Sequence, residues 1–398
     1  MGKPSKILLV SASLFPKRSG SAYITEKLAR QFTRQEMAVA GELRVMGRPA
    51  ERPSQHPATH YIRSGLSLFG RGARFLSALR WRLLGRVAGS LVDIARRERC
   101  DYVIGTYPDE LYCYAALLAA QKLGVPFSAY FHNTYLDNEA IQRRRAAKLQ
   151  PLFLAAAEHV FAISAGLADF LRERYSLANA VVLPHMFDNY PPESGDIPSR
   201  AQAGKTRLVL FGNFNESNME ATRRLVDAAV AAGTYEVNLY THVPSLLLQQ
   251  RGLNMAGVVH RGFIDDSLLV EELRQYDIVV LTHGFTGAYG AIEYRTIFPT
   301  RTIPALLSGR PILLHSPPGS FLTEFVQKHN VAVVVAEPSS EKLVAGLERL
   351  RSDPELARRL CQAARVAAAA FHGPRVADVL RRTIGLTASA HRATSLPN

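Results

Sequence analysis

Short apolar runs alternating with segments of helical period, broken once by a stretch of proline, glycine and serine, constrain this chain more than any other feature. Residues 6–13 (Lys-Ile-Leu-Leu-Val-Ser-Ala-Ser) form an apolar run ending in small residues, the pattern of a buried parallel strand. Ile24, Leu28 and Phe32 recur four apart, which predicts a helix over Tyr23–Phe32. The alternation continues with strands at Asp101–Thr106, Val125–Phe131 and Val160–Ile163 and helices at Glu110–Leu123 and Gly166–Tyr175. Residues 188–206 concentrate Pro, Gly and Ser without any apolar period and read as a linker. The pattern then restarts, with strands at Arg207–Phe211, Val237–Thr241, Val258–Val259, Asp277–Thr282, Pro311–His315 and Val331–Val335. Helices are predicted at Asn218–Ala231, near Thr300–Ser308, and at Ser340–Arg351, Pro354–Ala370 and Pro374–Ile384. Strands separated by helices imply a parallel sheet covered on both faces. The expected fold class is α/β: two Rossmann-like, doubly wound domains, 1–187 and 207–372, then a helix in 373–386 and a disordered tail, 387–398. Open parallel sheets bind ligands at the carboxyl ends of their strands, so a cleft between facing domains is the expected site.

Composition narrows the class without choosing a function. The chain has 398 residues, 47% hydrophobic and 21% charged, enough apolar surface for two cores. No apolar run approaches the roughly 18 residues of a membrane span. The first six residues lack the sections of a secretion signal. Cys100, Cys113 and Cys361 have no metal-ligand spacing, and the expectation is a reduced, cytoplasmic protein. Of the net charge of +14, +10 lies in residues 1–200, with 27 Lys+Arg against 17 Asp+Glu. Such a basic half attracts nucleic acid, anionic lipid or phosphorylated substrates alike. No nucleic-acid recognition motif accompanies it, so nucleic acid is not an expected partner.

The strand-end loops carry the chemistry. Ser19 and Gly20 open a helix after the first strand, where backbone can approach an acceptor or a phosphate closely. An ordinary strand-to-helix turn fits the same residues. The G-x-G-x-x-G of a dinucleotide site is absent. His132 follows a buried strand, placed to hydrogen-bond a hydroxyl or act as general base, or to be satisfied by local backbone. Gly212 and Asn213 form a glycine turn after Arg207–Phe211, before a helix capped by Ser217 or Asn218. The stretch 283–311 is the richest, with Gly284, Gly287 and Gly290, then Glu293 and Arg295 ahead of a helix capped by Thr300 beside Arg301. Amide donors, macrodipole and guanidinium together make a competent diphosphate site. A structural Glu–Arg surface pair is the alternative.

Phe298-Pro-Thr-Arg-Thr-Ile-Pro-Ala-Leu-Leu-Ser-Gly-Arg-Pro-Ile-Leu313 resembles the Phe-Pro-Ser-Lys-x-x-Glu-Tyr-x-Ala-x-Gly-x-Pro-Ile-Leu segment of GT-B glycosyltransferases of the group 1, mostly retaining, type. Gly212-Asn213 with Glu220-Ala221, Phe161-Ala-Ile-Ser164 and Val182-Leu-Pro184 are similar to further landmarks of that family. The resemblance spans Ile7 to about Leu386, and its specific part is 298–313. It implies a nucleotide-sugar donor bound in the C-terminal domain, a glycan, lipid-linked or small-molecule acceptor in the N-terminal domain, and a last helix crossing back to the N-terminal domain. His132 matches the family's acceptor-domain histidine in position. Gly212, Asn213, Arg295, Thr300 and Arg301 fall in the implied donor site.

Two departures stand out. Pro304 occupies the position of the family's ribose-binding Glu, and Asn213 and Asn215 replace its usual Arg and Lys. Glu293 is the candidate replacement for the carboxylate, and Arg295 or Arg301 for the cation. The sequence contains no Asp-x-Asp, so no metal and no other cofactor is expected, and basic side chains must stabilise the leaving group. A non-catalytic glycan- or nucleotide-binding protein and a nucleotide-sugar epimerase are the competing readings. Residues 66–97, with arginines 71, 74, 80, 82 and 86 beside Trp81, suit peripheral contact with the inner face of the membrane, or else a domain helix with a solvated basic face.

Overall fold

A computed structural model describes residues 3–14, 19–42, 56–62, 79–138, 143–188, 190–191, 204–286 and 290–386. The chain divides into two compact units, Met1–Asp188 with Gly373–Asn398, and Asn189–His372. Most of the 188–206 segment, the 387–398 tail, Gly287 and residues 66–78 of the basic segment lie outside the described residues.

The first unit is built on a seven-stranded parallel sheet. Its strands are β1 (Ile7–Ser11), β2 (Met37–Glu42), β3 (Ala58–Ile62), β4 (Tyr102–Tyr107), β5 (Phe127–Phe131), β6 (Val160–Ala162) and β7 (Ala180–Val182), in spatial order 3-2-1-4-5-6-7. Every residue of β1, β2, β4 and β5 is buried, as expected where helices cover both faces. The apolar pattern did not predict β2 or β3. In β2 the run Met-Ala-Val-Ala-Gly-Glu is short and mixes small residues with Met37 and Val39, and at Gly41 the packing admits no side chain. Gly41 sits opposite Ser11, and a Cβ at Gly41 would stand 1.8 Å from the Ser11 carbonyl oxygen. The helix Arg143–Ala156 also went unpredicted, since it opens on three arginines and contains Pro151.

The terminal helix Gly373–Ile384 belongs to this first unit. Val376, Ala377, Leu380 and Ile384 are buried in the same core as β1. Arg381 fixes the helix by pairing with Glu36 at 2.8 Å, donating to the Gln31 carbonyl at 2.7 Å and lying over the Phe32 ring.

The described part of the basic segment is a domain element. Val87, Leu91, Val92, Ile94 and Ala95 of the helix Leu84–Glu98 face the core. Trp81 packs against Tyr114, with the Arg145 guanidinium 4.7 Å over its ring. Arg82 and Arg86 are exposed, but Arg80 is not on a solvated face. It is buried between Asp109 at 2.8 Å and the fully buried Glu42 at 3.4 Å. The two carboxylates compensate a cation that low-polarity surroundings would otherwise expel. Arg80→Ala is expected to cost about 3 kcal/mol of stability in this unit, read by urea unfolding; a loss under ~0.5 kcal/mol would show the network to be energetically idle.

The second unit repeats the architecture. Its strands are β8 (Thr206–Phe211), β9 (Tyr235–Tyr240), β10 (Val258–Gly262), β11 (Ile278–Thr282), β12 (Ile312–His315) and β13 (Val333–Val335), all parallel, in order 10-9-8-11-12-13. The order reverses between β8 and β11, which opens a crevice at their carboxyl ends within this unit. Serine and aspartate N-caps at Ser320, Ser339 and Asp353 start the helices that cover the sheet.

Candidate active site

The residues singled out in the first unit have distinct fates. The Ser19 hydroxyl accepts from the Ala22 N–H at 3.2 Å, so it caps the helix Gly20–Ala29, whose first residue, Gly20, is exposed. His132 follows β5 directly and is 4% exposed. Its main-chain N–H donates to the Tyr107 carbonyl and its ring meets Tyr130 edge-on at 4.4 Å. Neither ring nitrogen has a partner among the described residues. Burial, aided by the neighbouring His185, pushes its pKa down to about 3, so the ring is neutral at physiological pH. A neutral imidazole of this kind suits hydrogen bonding to a hydroxyl better than proton abstraction, which calls for a pKa near the working pH.

In the second unit the crevice between β8 and β11 gathers a denser set. Gly212 ends β8 at φ +105°, a conformation that favours glycine. Its N–H donates to the Tyr240 carbonyl at 3.0 Å, so that amide is not offered to a ligand. What Gly212 supplies is room: a Cβ there would lie 3.8 Å from the Cδ of Arg301. Asn213 is exposed, and its carbonyl accepts from the Asn218 side chain. Asn218 sits at the N-cap of the helix Met219–Ala231, but its side chain reaches back into this turn instead of capping.

Two readings of 291–307 need correction. The first is the surface pair of Glu293 and Arg295. They lie on a short helix, Ala291–Thr296, where residues two apart point away from each other. Glu293 is accordingly buried at 3% exposure and Arg295 is exposed, so they are no surface pair. Thr300 does not cap the following helix. That helix is Thr302–Leu307, Arg301 holds its cap position without a side-chain cap bond, and the Thr302 N–H is taken by the Pro299 carbonyl at 3.0 Å. Six residues also sum to little macrodipole. Charge at this point rests on the Arg301 guanidinium itself.

Arg301 is the unusual group of the crevice. It donates through Nη2 to the Thr282 carbonyl at the end of β11, and no carboxylate among the described residues pairs with it. Burial lowers its pKa from the usual 12.5 to about 10. A partly buried cation with no counter-charge among the described residues costs free energy that a bound anion offsets.

In the same unit Arg224, Glu220 and His315 form a set that is satisfied internally. Arg224 pairs with Glu220, lies over the Phe285 ring and donates to His315 Nε2 at 3.1 Å. His315 donates from Nδ1 to the Val335 carbonyl at 2.9 Å, which fixes its neutral tautomer, since a carbonyl only accepts. Burial, opposed in part by that bond, keeps its pKa low. Glu220 also accepts from the Phe285 N–H at 3.1 Å. Burial would raise the Glu220 carboxyl, but Arg224 and the amides of Phe285 and Thr286 outweigh it and lower the pKa. This chain of contacts holds the start of the glycine loop in place. His283, at the end of β11, is 2% exposed, with its ring 4.7 Å from that of Tyr294. The sequence pattern assigned no role to His283, His315 or Arg224. Histidines just past two buried strands were the available signal.

Among the described residues no group of three His, Cys, Asp or Glu is placed to hold a metal ion, and no helix is long and apolar enough to cross a membrane.

Comparisons agree with this architecture. Residues 19–189 match the model of Glycosyltransferase Family 4. Sucrose-phosphate synthase from Thermosynechococcus elongatus has a similar structure, with a TM-score of 0.73 at 16% identity, over 95% of this chain and 98% of that one. Anabaena HepE, solved in complex with UDP and glucose, gives 0.67 at 17% identity over 96% and 99%. A glycosyltransferase from Rickettsia africae gives 0.66 at 14% identity over 96% and 98%. At such identities these likenesses establish the fold, GT-B. No curated protein sequence matches the chain.

Proposed function

We propose that this chain, a glycosyltransferase of the GT-B fold carrying a Glycosyltransferase Family 4 domain, moves a sugar from a nucleotide-diphosphate donor to a glycan, lipid-linked or small-molecule hydroxyl, without a metal ion. The observation that carries this reading is Arg301, a partly buried guanidinium with no carboxylate partner among the described residues, beside the space left by Gly212 at the switch point of the second sheet. In the transfer, the bond from the sugar's anomeric carbon to the diphosphate oxygen breaks. A bond to the acceptor oxygen forms, and the acceptor's proton passes to the departing diphosphate oxygen. Negative charge grows on the diphosphate, and a fixed cation in a poorly hydrated crevice stabilises it without reorganisation. HepE's recorded complexes with UDP and glucose and with UDP-glucose support a nucleotide-sugar donor.

Glu293, buried one helix before Arg301, is the residue we assign to the donor ribose in place of the carboxylate missing at Pro304. His132 is assigned to a hydroxyl of the sugar or acceptor in the first unit. Asn213 and Arg295, both exposed, Thr300, and Ser19 with Gly20 at the start of the first helix are assigned to the outer parts of the donor and acceptor sites. Retention of anomeric configuration rests on the family resemblance. For membrane contact through 66–97, the support is the exposure of Arg82 and Arg86.

A thermal-shift screen against UDP, GDP, ADP, TDP and CMP tests the donor site, because a ligand that binds the folded state raises its melting temperature. One nucleotide is expected to stabilise selectively, and transfer from its sugar conjugate is expected to be unchanged in EDTA. Strict dependence on Mn²⁺ or Mg²⁺ would overturn the metal-free mechanism. Pro304 favours a second reading, a non-catalytic binder. Stabilisation by a nucleotide without any transfer or slow hydrolysis of its sugar conjugate would select it.

A further inference from the structure

Two incompletely satisfied side chains gather at the end of β11. Arg301 is one, with the Thr282 carbonyl as its fixed point. The other is His283, whose Nε2 is buried and meets no hydrogen-bond partner among the described residues. Its backbone is held tightly. The His283 N–H donates to the His315 carbonyl and the Gly284 N–H to the Ser217 carbonyl, both at 2.8 Å. A Cβ at Gly284 would come within 2.7 Å of that Ser217 oxygen, so the turn is packed too closely to shift. The imidazole lies tilted against the Tyr294 ring, centroids 4.7 Å apart, and feels the charge of Arg301.

A buried polar nitrogen with no partner is costly, and folded proteins keep few of them. Here the unmet nitrogen belongs to the residue next to Thr282, whose carbonyl holds Arg301, and it lies within reach of that charge. One anion seated between them would satisfy both. We propose that His283 is a second anchor for the donor diphosphate, donating an Nε2–H hydrogen bond to a phosphate oxygen also held by Arg301. The inference rests on the donor-site reading above. Burial and then the Arg301 charge keep the free imidazole neutral, so it acts as an oriented donor and not as a second cation. A donor fixed in a poorly hydrated crevice discriminates strongly in favour of charged oxygen acceptors.

The test uses the full chain with His283→Leu, His283→Gln and Arg301→Met, titrated calorimetrically with UDP, GDP, ADP and inorganic pyrophosphate. Leu fills the site without a donor, and Gln restores an N–H near the Nε2 position. For whichever diphosphate the wild type binds, His283→Leu is expected to weaken binding about tenfold to a hundredfold. Its melting temperature should stay the same or rise, because the unmet nitrogen is gone. His283→Gln is expected to stay within about fivefold of wild type. If Arg301→Met weakens binding while His283→Leu binds within twofold of wild type, the role of His283 is overturned and the donor site stands. Equal loss of binding and of melting temperature in both His283 variants would also overturn it, as the mark of a structural residue. Wild-type protein that binds none of the four probes overturns the donor-site reading and this inference with it.

Discussion

Replacing Arg301 by methionine is expected to lower sugar transfer by at least about a hundredfold while leaving the melting temperature unchanged or higher. The two halves of that expectation share one cause. A single preorganised donor aimed at developing negative charge is worth about 10²–10³ in rate, and Arg301 offers both charge and a fork of donors. In the unliganded protein the same guanidinium is partly buried with no carboxylate among the described residues, so its pKa falls to about 10, and an apolar replacement relieves the fold of a poorly compensated charge. Arg301→Lys keeps the charge without the fork and is expected to fall between, within about tenfold of wild type. Initial rates with the donor identified by thermal shift, together with the melting temperatures, decide the matter. A methionine variant as active as wild type would remove Arg301 from the mechanism.

The second large effect is acid sensitivity. His132 and His283 are held down to a pKa of about 3 in the folded protein, by burial first and then by His185 and Arg301 respectively, against about 6.5 in the unfolded chain. Below pH 6.5 the unfolded chain takes up protons that the folded chain refuses. The stability these two sites contribute is therefore complete above pH 6.5 and is lost as pH falls towards 3. At pH 5 each histidine lies 1.5 units below its unfolded value, a loss of about 2 kcal/mol apiece. The carboxylates with lowered pKa values, such as Glu36 and Glu220, release their contribution only below about pH 4.5, so the windows separate. Urea unfolding at pH 7.5 and pH 5 should show the drop. His132→Leu should remove it from the first unit and His283→Leu from the second. An unchanged pH dependence in both variants would mean that other groups set the acid limb.

The pattern of residue types made the architecture legible to the extent that residues are apolar and regularly spaced. Strands such as β1 and β11, buried throughout, read as nearly unbroken apolar runs, and helices such as Gly20–Ala29 carried a helical period. β2 was invisible because its run is short and mixed, and the packing against β1 at Gly41 admits no side chain. The helix over Pro151 was hidden by a residue that ordinarily breaks helices. Element starts slipped by a residue or two wherever a cap decided them: Ser164 starts a helix at Ala165, and Thr300 does not start one at all.

The candidate site divides along the same line. By itself, the sequence determined the α/β class and the places where strand-end loops bear glycine, arginine and histidine. It also determined the absence of a carboxylate at Pro304, since these depend on local pattern and spacing. Only the tertiary structure decided which polar groups are satisfied. Arg80 and Arg224 are as basic in sequence as Arg301. The fold brings carboxylates to the first two and none of the described ones to the third. Whether a buried charge has a partner depends on residues tens of positions away, such as Glu42 for Arg80. The desolvation that makes Arg301 and His283 stand out exists only once the strands and helices have closed around them.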